Sequence, residues 1–114
     1  MTNVLGLSSS KAGRERLREN AYKEISERLR ESSDATGGLS SEVLLEYRNE
    51  LASAYNLRSP RRLRFTLERM INHFENILAM PPEERHLEKD EREAYERLLE
   101  TSRAYLSRIK EMED

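Results

Sequence analysis

The sequence predicts an all-α fold, a four-helix antiparallel bundle-like domain, from three observations. Turn formers are scarce, with 4 Gly and 3 Pro in 114 residues, which disfavours both a turn-rich β-sandwich and a disordered chain. Apolar residues recur at helical spacing over long segments. Three breaks, at Gly37-Gly38, Asn56-Leu57-Arg58 and Pro81-Pro82, separate four such segments. The helices are expected at about 10–32, 40–55, 60–80 and 82–112, within one domain of residues 10–114. Residues 1–9 read as a flexible N-terminus.

Helix 1 carries a thin apolar set, Leu17, Ala21, Tyr22, Ile25 and Leu29, with Arg14, Arg18 and Arg28 on the same face. Alone it would be marginal in water. It is therefore expected either at the edge of the bundle, with arginine stems on the core, or completing a subunit interface. Glu19→Lys23 and Glu24→Arg28 are i,i+4 pairs that favour the helix. Gly37-Gly38 ends it, and Ser40 is the natural cap of helix 2. The inner side of helix 2 is Leu44, Tyr47, Leu51, Ala52 and Tyr55, with Arg48 inside the same arc, as a snorkelling stem in preference to a partly buried ion pair with another helix.

Helix 3 is the best-defined element. Ser59 suits the N-cap and Pro60 the first helical position. Leu63, Leu67, Met70, Ile71, Phe74, Ile77 and Leu78 then fall within an arc of about 120°. The short connection before it makes helices 2 and 3 an antiparallel hairpin. Pro81-Pro82 stops helix 3, and Pro82 can open helix 4 with Glu83 and Glu84 in its first turn. Helix 4 shows a heptad-like seam through Tyr95, Leu98, Ser102, Tyr105, Ile109 and Met112. Glu88 and Glu91 fall awkwardly on its inner face.

The chain has no cysteine, which excludes disulfides, thiolate metal sites and a cysteine nucleophile and suits a cytoplasmic setting. No apolar run approaches the roughly 20 residues of a membrane span, and the first residues do not read as a signal peptide. Two histidines are too few for a histidine-rich metal site, and no glycine-rich phosphate loop is present. No metal, cofactor or catalytic residue is assigned, and an enzyme is not expected.

The functional signal lies on the outer side of helix 3. Arg62, Phe65 and Arg69 follow at i, i+3 and i+7, with Asn72, His73 and Asn76 continuing the band. An outward Phe between arginines costs exposed apolar area. Arg61, Arg62 and Arg64 also crowd the first turns, where the helix dipole disfavours cations. An anion or an acidic surface would reverse that penalty. Arg58, Arg61, Arg62, Arg64, Phe65, Arg69 and His73 are therefore the candidate partner- or phosphate-binding residues. The primary expectation is a non-catalytic protein–protein interaction or assembly module, self-associating as a homodimer. The alternative is an accessory nucleic-acid-binding protein that uses Arg58–Arg69 on the phosphate backbone. The net charge of −2 argues against that alternative, since such footprints are plainly basic. Arg69-Met70-Ile71-Asn72-His73 resembles the arginine–histidine pair of the HEPN ribonucleases, small helical proteins. Here the gap is three residues instead of four to six, so their motif is not met, and a small HEPN-like ribonuclease around Arg69 and His73 stands as the lesser alternative.

Overall fold

In a computed structural model that describes residues 11–36 and 41–113, the chain forms four helices and no strand among the described residues. They are α1 Lys11–Thr36, α2 Ser41–Asn56, α3 Pro60–Ala79 and α4 Lys89–Glu113. Each packs on its neighbour in sequence, and α1 closes the ring against α4. Every adjacent pair is antiparallel, as the cross-helix contacts show. Glu50 meets Arg69, and Glu68 and Glu75 meet Lys110 and Arg103. Glu24 and Glu31 meet Tyr105 and Arg97. The result is an elongated all-α bundle of 54 × 25 × 19 Å. No described helix is long and apolar enough to cross a membrane. The expected flexible terminus 1–9, the Gly37-Gly38 break and the Ser40 cap lie outside the described residues.

α3 follows its sequence signals. Ser59 is extended (φ −105°, ψ 100°) and its hydroxyl oxygen accepts the Arg62 N–H at 3.2 Å, with Pro60 opening the helix. Met80 turns extended (φ −65°, ψ 137°) because the following Pro81 disfavours helical geometry there. Leu63, Leu67, Met70, Phe74 and Ile77 form the centre of the core.

α4 begins seven residues later than Pro82. The Pro81 carbonyl accepts the N–H groups of Glu84 and Arg85, at 2.9 and 3.1 Å, in a separate turn. An irregular stretch, residues 85–88, then delivers Leu87 to the core. Glu88 becomes the N-cap: its carbonyl accepts the Arg92 N–H at 2.9 Å, and its own N–H donates to the Glu91 carboxylate at 3.0 Å. A helix continuous from Pro82 would have pointed the Glu91 carboxylate into apolar surroundings. The break gives that buried side chain an amide donor at the positive end of the dipole.

α1 runs to Thr36 rather than to residue 32, and is set deeper than its thin stripe suggests. Leu17, Ala21, Ile25 and Leu29 are all nearly inaccessible, between α2 and α4. Small side chains make this possible, since Ala21 and Ser32 face the core along with Ser102 of α4. Tyr22 stacks on Tyr55 of α2, with centroids 4.7 Å apart and planes 6° from parallel. The Glu19–Lys23 pair forms at 3.5 Å. Glu24 does not pair with Arg28. Its carboxylate instead accepts the Tyr105 hydroxyl at 2.7 Å, and Arg28 pairs with Glu31 at 2.6 Å. Arg48 is exposed rather than laid along the core.

Candidate interaction face and basic pole

The candidate residues fall into two groups. The first lies on the outer face of the α2–α3 hairpin. Arg69 donates from Nη1 to Glu50 Oε1 at 2.6 Å. Its guanidinium carbon lies 5.7 Å from the Tyr47 ring centroid and 5.8 Å from that of Phe65. One cation thus bridges a buried ring, a carboxylate and an exposed ring. Phe65 is 59% exposed, and helix 1, on the far side of α2, does not cover it. Arg62 reaches Ser53 Oγ at 3.4 Å and is otherwise exposed.

His73 is half-buried against Tyr47 and Phe74, with centroids 5.7 and 5.0 Å away. Burial, and secondarily the charge of Arg85, lowers its pKa from 6.5. Arg69 and His73 therefore both pack on Tyr47, one cationic and tied to Glu50, the other held toward its neutral form. The depressed value sets a pH dependence. As pH falls below 6.5, the unfolded chain binds the proton before the native one does, so stability present above 6.5 is lost through the window down to the native value. Urea unfolding at pH 7.5, 6.5 and 5.5 should show this decline, and His73→Gln should make it shallower.

The second group sits at the end of the bundle where α2 passes to α3. Arg58 adopts φ 53°, a left-handed conformation that costs a non-glycine residue roughly 1–2 kcal/mol. It occupies the position after the helix cap where glycine is usual. The Arg58 N–H donates to the Tyr55 carbonyl and the Ser59 N–H to that of Ala54, both at 3.1 Å. Arg61 is exposed beside it, whereas Arg64 is half-buried and has contacts within the fold. The α1 residues Arg14, Arg16 and Arg18 reach the same end and line grooves with Arg58 and Arg61.

This convergence exposes a polarity that the net charge of −2 conceals. The half of the bundle built from 11–23, 51–67 and 105–112 holds eleven Lys or Arg against three Asp or Glu. Glu113 and Asp114, next in sequence, bring its acids to five. The other half, 24–36, 41–50 and 68–104, holds nine against seventeen.

Tyr47 and Glu50 were not singled out from the sequence as site residues, nor were the α1 arginines. The three-residue connection was the available signal for the first two. It makes α2 and α3 antiparallel neighbours and sets the middle of α2, where Tyr47 and Glu50 lie, against the middle of α3. Among the described residues no group of three His, Asp or Glu converges as a metal-binding set. Compared with known protein families, curated proteins and solved structures, the chain matches none.

Proposed function

We propose that this protein is a non-catalytic assembly module that self-associates through the outer face of its α2–α3 hairpin, in the cytoplasm. The observation that carries this reading is Phe65, a large ring left 59% exposed yet held in place by Arg69. A preorganised aromatic beside an arginine is the usual composition of an interface anchor. A second copy is the partner this face suits. The face runs from Glu42 and Glu46 near the start of α2 to Arg62 near the start of α3. A two-fold contact sets the same patch against itself, so an antiparallel pair brings Glu46 toward Arg62 of its mate. A face about 30 Å long and two helices wide offers roughly 600 Å² per copy. Two such faces reach the lower limit for a stable interface, about 1,200 Å².

Sedimentation equilibrium should show a monomer–dimer exchange in the micromolar range. Phe65→Ala should raise the dimer Kd by at least about tenfold and leave the helical circular dichroism unchanged. A wild-type chain that stays monomeric to about 100 µM would refute the reading.

A further inference from the structure

The basic pole adjoins the Phe65 face, meeting it at Arg62, and it calls for a ligand of its own. We propose that it binds the phosphate backbone of duplex nucleic acid without reading base sequence. Four observations converge. The first is the charge sorting, eleven cations against three anions, or five with the adjoining Glu113 and Asp114, in one half of a molecule whose other half is acidic. Such a field draws a polyanion to one end and turns the opposite end away.

The second is the placement of guanidinium groups around two grooves that open at this pole. One, of about 430 Å³, lies between α1, α3 and α4; Leu17, Pro60, Ile109 and Met112 form its apolar floor, and Arg14, Arg18 and Arg61 its rim. The other, of about 370 Å³, lies between α1 and the end of α2 and is edged by Arg16, Arg18 and Arg58, with Glu15 and Glu19 also on its wall. Arg18 borders both. Eight of the eleven cations are arginines, whose planar fork matches phosphate oxygens in pairs.

The third is the start of α3 at this pole, where Arg61, Arg62 and Arg64 occupy the first turns. A bound phosphate converts that unfavourable dipole interaction into a favourable three-way contact. The fourth is how the aromatic rings near the grooves are engaged, Tyr55 on the wall of the second included. Single-strand binding relies on aromatic platforms for bases. Here Tyr55 is occupied by stacking on Tyr22, Tyr105 is buried, and Phe65 faces the side of the bundle. A duplex carries one charge per roughly 1.7 Å of its axis. The 25 Å breadth of the bundle therefore lies over roughly ten or more of them.

Fluorescence anisotropy with labelled 20-base-pair DNA and RNA duplexes, between 50 and 300 mM salt, tests the proposal. Expected is micromolar binding at low salt that weakens with a log–log slope of about −3 or steeper; the two duplexes show which helix form is preferred. Arg14→Glu/Arg18→Glu/Arg61→Glu should weaken binding at least tenfold. If that triple variant loses its helical signal, Arg18→Ala/Arg61→Ala should still weaken it severalfold. Phe65→Ala should bind within about threefold of wild type, so that loss of self-association and loss of duplex binding are read separately. No binding at 50 mM salt, a salt-independent Kd, or a Kd indifferent to the arginine changes would overturn the proposal. So would a single strand of equal length that binds more tightly than the duplex. Competition by polyglutamate as effective as by duplex would assign the pole to acidic proteins instead.

Discussion

Phe74→Ala is expected to destabilise the protein by about 3–5 kcal/mol, the largest effect of any single truncation considered. Phe74 is 1% exposed and lies at the junction of three aromatic neighbours. Its ring is 5.9 Å from Tyr47, 5.0 Å from His73 and 5.3 Å from Tyr95. Truncation removes a side chain that touches both the α2 and the α4 sides of α3, and helices held on every flank cannot collapse into the space. Urea denaturation followed by circular dichroism should show the midpoint falling with little change in slope. The same substitution should loosen the α2–α3 face. Tyr47 loses its inner support, and Tyr47 is one of the two rings that position Arg69 under Phe65. Weaker self-association is therefore expected even though Phe74 touches no partner.

Ile25→Ala is expected to cost about 2–5 kcal/mol. The number matters because it measures how far α1 belongs to the core. Ile25 is fully buried, one turn from Ala21 and one from Leu29, in the contact with α4 and α2. A helix resting on the outside of a three-helix core would lose under about 1 kcal/mol from the same change. Leu45→Ala is the internal control. Leu45 is 55% exposed, and its truncation should stay within about 0.5 kcal/mol.

α3 was legible because every level agrees there: cap, proline at the first position, apolar period and a proline stop. Its outer Arg62–Phe65–Arg69 band was legible for the same reason. The start of α4 was misread because Pro82, Glu83 and Glu84 make as good a first turn as any. Only the three-dimensional fate of Glu91, pointed inward or used as a cap acceptor, decides between the two starts. The Glu24–Arg28 pair was misassigned because local spacing ranks neighbours on one helix and cannot see Tyr105, which lies 81 residues away in sequence. The same limitation hid the basic pole. Arg14 and Arg18, like Arg28, look like an obstacle to packing when α1 is read alone, and Arg16 draws no notice. They become a patch only once antiparallel topology brings the first turns of α1 beside the Arg58–Arg64 stretch.

The near-parallel Tyr22–Tyr55 stack gives the chain its own optical gauge. There is no tryptophan to mask five tyrosines, and two of those rings lie close enough to couple electronically across the α1–α2 boundary. Near-ultraviolet ellipticity should therefore register the docking of the first helix directly, apart from the helical content of the rest, without any added dye.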